Sequence, residues 1–196
     1  SESFNRTVTI HVPGRPVKNT REFDIALFGI PEKRGYAQKG MDKAPDEIRK
    51  KLYPLAPVDR KLKIADLGNL KTGDNKADTL FAIRDILLEL KENNTLAIIL
   101  GTGQDLLLGA IKTLENSKKL TQISILDSRI DMGGGEESPG PLNYLETLLN
   151  DRKLGKLHIT VLGNQVYYSP ENWQDRMEDK GHTVLRLAKL REDLSL

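Results

Sequence analysis

Cysteine is absent from the 196 residues, which removes disulfides, thiolate metal sites and cysteine nucleophiles together. Imidazole is scarce as well, since His11, His158 and His182 are the only histidines. No apolar run approaches the roughly 20 residues needed to cross a bilayer. Ser1-Glu2-Ser3 is not a charged start followed by an apolar stretch, so no membrane partner is expected. The lack of cysteine suits a reducing compartment, and the chain is read as cytoplasmic. Nor does one sign of charge dominate: 30 basic and 28 acidic residues alternate along the chain and leave no electrostatic footprint for nucleic acid.

What is present suits one water-soluble domain: 38% hydrophobic and 30% charged residues describe a wet surface over a modest core. Short β-branched or aliphatic runs alternate with segments of helical period, the pattern of an α/β fold with a mainly parallel sheet. Strands are predicted over 7–12, 24–30, 96–100, 123–126, 157–162 and 183–187, the inner runs being apolar throughout. Pro45, Asp46 and Glu47 open a helix whose Ile48 and Leu52 share a face. Leu80, Ile83, Leu87 and Leu90 form a core-facing stripe on another. Ser169 and Pro170 read as N-cap and first residue of a third helix, with Trp173 and Met177 four apart and Gly181 ending it. No internal repeat or low-complexity linker appears, and Gly133-Gly134-Gly135-Glu136-Glu137 reads as a flexible surface loop.

In an open parallel sheet, ligands gather where strands deliver their carboxyl ends. Two segments sit there. Leu100-Gly101-Thr102-Gly103-Gln104-Asp105 resembles a phosphate-cradling turn but lacks both G-x-G-x-x-G spacing and a Lys-Ser/Thr ending, so a tight strand-to-helix turn is the simpler reading. Leu126-Asp127-Ser128-Arg129-Ile130-Asp131 places two carboxylates four residues apart around a guanidinium. An exposed Asp-Arg-Asp turn is the plain alternative.

The order of segments resembles the ureohydrolase family of arginase, agmatinase and formimidoylglutamase. Phe23 to Pro31 looks like the family's first strand and turn, and Gly40 through Ala44-Pro45-Asp46-Glu47-Ile48-Arg49 looks like its "G…G-P-x-x-I-R" helix start. Asp66-Leu67-Gly68-Asn69 is similar to "D-x-G-D". Ile99 to Leu106 falls on "L-G-G-D-H-S-L", continued by Gly109-Ala110-Ile111, and Asp127 to Asp131 falls on the "D-A-H-x-D" metal motif. Gly163-Asn164-Gln165 is most similar to the formimidoylglutamase branch.

The resemblance implies a three-layer αβα sandwich and a binuclear manganese site whose bridging hydroxide attacks a guanidino or formimino carbon. The chain departs from it at the ligands. Gly103 stands for an aspartate, Gln104 for a histidine and Arg129 for a second histidine, leaving Asp127 and Asp131 as the ligands if any metal binds. A fixed cation about 5 Å from a divalent ion costs about 6 to 7 kcal/mol at an effective dielectric of about 20. No cofactor is therefore expected. The three histidines fall in or beside predicted strands, away from the post-strand loops. No "S-x-D-x-D" strand end follows Leu187, and residues 1–196 are read as the N-terminal part of a longer domain of this type.

Three functional readings follow. In the leading one the chain is a pseudoenzyme with a vestigial pocket of Gly101, Gln104, Asp105, Asp127, Arg129 and Asp131, in which Arg129 pairs with both Asp127 and Asp131. It would bind a small guanidino or formimino ligand or a protein partner, or sit in a homo-oligomer. In the second it is a manganese-dependent C–N hydrolase completed by a further C-terminal half. In the third, Gly101 to Asp105 is the anion turn of a nucleotide-binding protein.

Overall fold

A computed structural model describes residues 3–12, 14–57, 61–133 and 139–193. It divides into two compact units, Ser1–Thr113 and Leu114–Leu196, each with its own parallel sheet.

The first unit contains β1 (Val8–Ile10), β2 (Ile25–Gly29), α1 (Ala44–Leu52), β3 (Ile64–Asn69), α2 (Lys76–Glu92), β4 (Leu96–Leu100) and α3 (Leu107–Ile111). Its four strands run in the order β1-β3-β2-β4, all parallel. Ala26, Leu27, Phe28 and Ala65 from the central strands and Ile83 and Leu90 from α2 are buried, as the helical stripe predicted, while Leu87 is half-buried. A reciprocal cap starts α2: the Asn75 side chain accepts the Asp78 N–H at 2.9 Å and Asp78 accepts the Asn75 N–H.

Three expectations change in this unit. Strand β3 was not predicted, because Asp66, Gly68 and Asn69 interrupt its apolar pattern. The buried face of α1 is Pro45 and Arg49, with Ile48 exposed, because Arg49 reaches inward to a carboxylate on β3. And β4, read as apolar on both faces, leaves Leu96 and Ile98 exposed.

The second unit contains β5 (Thr121–Leu126), α4 (Tyr144–Asn150), β6 (Leu157–Asn164), α5 (Glu171–Asp179), β7 (Thr183–Arg186) and α6 (Leu187–Asp193), with parallel strands in the order β5-β6-β7. Its core gathers Ile130, Met132, Tyr144, Leu145, Leu148, Ile159, Val161 and Met177. Arg176 on α5 donates to both carboxylate oxygens of Glu146 on α4 at 2.8 Å. Gly181 ends α5 as expected. Ser169, however, does not cap that helix; its hydroxyl accepts the Ile130 N–H at 2.8 Å and donates to Asn164 at 3.3 Å. Of the predicted glycine-rich loop, residues 134–137 lie outside the described residues.

Each sheet carries a bulge at a strand's carboxyl end. In β3 the register shifts after Asp66, and in β6 it shifts after Leu162. The bulged strands use Gly68 at φ 80° and Gly163 at φ 92°, a region other side chains enter only with strain. Each glycine is followed by an asparagine: Asn69 accepts from Arg49 on α1, and Asn164 accepts from Ser169 in the loop before α5.

Candidate functional site

At the carboxyl end of the four-stranded sheet, the loops after β2, β3 and β4 converge on buried charge. Asp66 is fully buried and receives the Arg49 guanidinium through two bonds of 2.8 and 2.9 Å, the Tyr53 hydroxyl at 2.8 Å and the Gly68 N–H at 2.9 Å. Arg49 also donates to the Gly68 carbonyl and to Asn69. Four donors make Asp66 a saturated anchor between α1 and β3. Burial, and then the bond to Asp66, push the Tyr53 phenol up to about 12.

Of the predicted residues in this unit, Gly101 opens the strand-to-helix turn directly after β4, and Gln104 and Asp105 lie in a single 3-10 turn before α3. Asp105 is fully buried; it accepts the Tyr36 hydroxyl at 2.5 Å and is ion-paired with Lys76 at the start of α2. Burial and the bond to Asp105 raise the Tyr36 phenol above its ordinary value, so it remains a donor at neutral pH. Tyr36 also explains the glycine beside it: a Cβ at position 103 would lie 2.3 Å from the phenol oxygen. The phenol fills the room that any side chain at position 103 would need. Glu32, also buried, receives Arg34 through bonds of 2.8 and 2.6 Å, and the same guanidinium reaches the Gly73 carbonyl and Thr79, fastening the loop after β2 to α2.

At the carboxyl end of the three-stranded sheet stand Asp127, Arg129 and Asp131. The Arg129 Nε and Nη2 donate to one oxygen of Asp131 at 2.8 and 2.7 Å; Asp131 is buried and the Arg129 side chain is 36% exposed. Toward Asp127 the expected guanidinium pairing takes another form: Asp127 accepts the main-chain N–H of Arg129 at 3.0 Å and the Ser128 hydroxyl. The post-strand peptide is held by Gln165 donating to the Ser128 carbonyl and by Ile130 donating to Ser169.

The histidines stay apart from these groups, with one shift of position. Because β1 stops at Ile10, His11 follows a strand, where its Nδ1 accepts the Val17 N–H at 3.3 Å. His158 and His182 lie 6.2 Å apart at the amino end of the three-stranded sheet. Sequence reasoning missed Tyr36, Arg49 and Lys76. The signal for Arg49 was there in the helix motif, whereas nothing local ties Tyr36 or Lys76 to Asp105.

Parallel strands flanked by helices, with charged loop residues at the strands' carboxyl ends, define an α/β protein. The chain belongs to the Arginase family, whose profile matches residues 23–192. Among similar solved structures is Trypanosoma cruzi formiminoglutamase with manganese, at TM-score 0.77 and 15% identity, covering 91% of this chain and 65% of that one. Formimidoylglutamase from Bacillus subtilis gives 0.75 and 17% over 98% and 62%, and agmatine ureohydrolase of Thermoplasma volcanium gives 0.68 and 17% over 90% and 61%. The likeness is one of fold, an arginase-like α/β architecture. The chain spans 61–65% of the length of these three structures. Curated proteins give no match to the sequence.

Among the described residues, the side chains do not assemble a binuclear manganese centre. Asp105 is committed to Tyr36 and Lys76, Asp131 to Arg129, and no three His, Cys, Asp or Glu side chains come together among the described residues. No helix among those residues is long and apolar enough to cross a membrane.

Proposed function

We propose that this chain is a cytoplasmic pseudoenzyme of the arginase family, which binds a small guanidino or formimino ligand or a protein partner and catalyses no hydrolysis itself. The observation that carries this reading is the Arg129–Asp131 pair: a permanent cation holds the carboxylate on which a divalent ion would depend. Gly103 and Gln104 add to it, one without a donor and one with only a neutral amide.

A second reading has its own support. The chain covers 65% of a formiminoglutamase solved with manganese, so residues outside it would have to complete a C–N hydrolase of the formimidoylglutamase or agmatinase type. One experiment separates the two. The chain is dialysed against manganese, analysed for bound metal, and assayed for urea, ammonia or formamide release from agmatine and formimidoylglutamate. No stoichiometric metal and no release are expected, while Arg129→His is expected to gain weak manganese affinity. Manganese seated between Asp127 and Asp131 in a crystal, with the guanidinium displaced, would overturn the inactive reading. The same samples, run in an analytical ultracentrifuge, test for a homo-oligomer.

A further inference from the structure

The amino end of the three-stranded sheet, opposite the end that carries Arg129 and Asp131, collects cations that the sequence disperses. Lys118 and Lys119 precede β5, Arg152, Lys153 and Lys156 precede β6, and Lys180 precedes β7; all six are exposed. The parallel strands start side by side, so their leading turns share one face of the second unit. Two of these turns are bonded to each other: the Asn116 N–H donates to the Lys153 carbonyl at 2.9 Å and the Thr121 N–H to the Lys156 carbonyl at 2.8 Å. They press so closely at Gly155 that a Cβ there would run into the Ser117 carbonyl oxygen.

A hollow of about 300 Å³ opens in this face, lined among others by Arg152, Leu154, Gly155, Lys180 and His182. Its volume is at the lower end of the range for small-molecule pockets. Its donors have unused capacity. Lys180 spends one of its three N–H groups on Asn150 at 3.2 Å, and the Arg152 guanidinium bonds to no other described residue. The His182 Nδ1 accepts the Ile159 N–H at 3.3 Å, which leaves the ring proton on Nε2 as a further donor. None of the six cations is ion-paired with a carboxylate of another described residue. Asp151 lines the hollow with one oxygen taken by the Lys153 N–H at 2.9 Å, and Glu178 and Asp179 stand in the last turn of α5. The six cations exceed these three carboxylates together with the carbonyl ends of α4 and α5, each equivalent to about half a charge.

We propose that this hollow binds a small molecule carrying two linked phosphoryl groups, received by Arg152, Lys180 and the His182 Nε2–H. The lysines before β5 and β6 add attraction at longer range. A lone carboxylate brings one charge and two acceptor oxygens, fewer than the donors at hand, whereas a diphosphate spreads several charges over many oxygens. The site does not depend on Arg129 or on any metal.

Calorimetric titration of the full chain with pyrophosphate, orthophosphate and malonate tests the proposal at about 0.15 M salt, where attraction between exposed charges is largely screened beyond roughly 8 Å. Pyrophosphate is expected to bind saturably, with orthophosphate and malonate about tenfold weaker or worse. Arg152→Ala and Lys180→Ala, both exposed changes with little consequence for folding, should each weaken pyrophosphate about tenfold, and Lys39→Ala in the first unit should not. Asp151→Asn should tighten it by removing a like charge. In the magnetic resonance spectrum the His182 ring signals should shift on saturation while those of His11, in the other unit, stay in place. Circular dichroism of the variants reports whether they are folded. Absence of saturable heat with pyrophosphate, equal binding of malonate, or undiminished binding by folded Arg152→Ala and Lys180→Ala would each overturn the assignment.

Discussion

At the carboxyl end of the four-stranded sheet, Asp66 and Asp105 are fully buried, and the cations that face them are covered as well, the Arg49 side chain 10% and the Lys76 side chain 19% exposed. At the end of the three-stranded sheet Asp131 is nearly as deep, yet its Arg129 keeps over a third of its side chain in water. The difference sets how tightly each end is locked. A covered pair cannot lose one partner without stranding a charge in the interior, whereas a half-solvated guanidinium can be replaced in part by water. The first end is fastened by Arg49, Lys76 and Tyr36 as structure. The second retains exposed charge.

The largest break of this comparison should come from Arg49→Met. It leaves Asp66 with only Tyr53 and a backbone N–H, and the expected loss is about 3–5 kcal/mol in urea unfolding. A variant as stable as the parent would refute the anchor. Next in size is Lys76→Met, expected to cost about 2–4 kcal/mol. Adding Asp105→Asn should restore most of that loss, since the stranded charge is then gone; additive costs in the double-mutant cycle would count against the pairing. Arg129→Ala should cost only about 1 kcal/mol, in keeping with its exposure. If Arg129→Ala proved more damaging than Lys76→Met, the contrast between the two ends would fail.

The smallest effects concern pH. Glu32 is held below its ordinary 4.5: burial opposes its ionisation most, and the Arg34 guanidinium with two backbone N–H groups outweighs it. Its contribution is complete above the ordinary carboxylate value and drains as pH falls through the lower folded value. His182 is held below 6.5, by burial first and then by His158 and Lys180. The folded chain favours its neutral form, so that contribution is present above 6.5 and is lost as pH falls below it. The second unit should therefore soften at milder acidity than the first. Trp173, the only tryptophan, lies in the second unit and reports on it by fluorescence. A tryptophan signal that moves only in the Glu32 range would contradict the ordering.

Most of the fold was legible where apolar period and local punctuation agreed. The run at Leu96 to Leu100 and the stripe at Leu80, Ile83 and Leu90 needed no partner elsewhere in the chain to declare themselves. Strand β3 escaped because its buried polar residue, Asp66, makes sense only once Arg49 is known to sit beside it. The same reason inverted the face of α1, where a charged side chain turned inward and an isoleucine turned out. Within the site, spacing alone placed Asp127, Arg129 and Asp131 after one strand and Gly101, Gln104 and Asp105 after another. It did not show that the guanidinium serves Asp131 while the main chain serves Asp127.

Residue identities by themselves determined the α/β class and the family likeness, because these depend on short-range pattern. Tertiary structure decided what packs against the strand-end turn: Tyr36, 67 positions before Gly103 in the chain, occupies the space beside it. It also decided which charges are locked and which stay available. Long-range pairing in a low-dielectric interior is set by where the loops converge, and convergence is a property of the folded sheet.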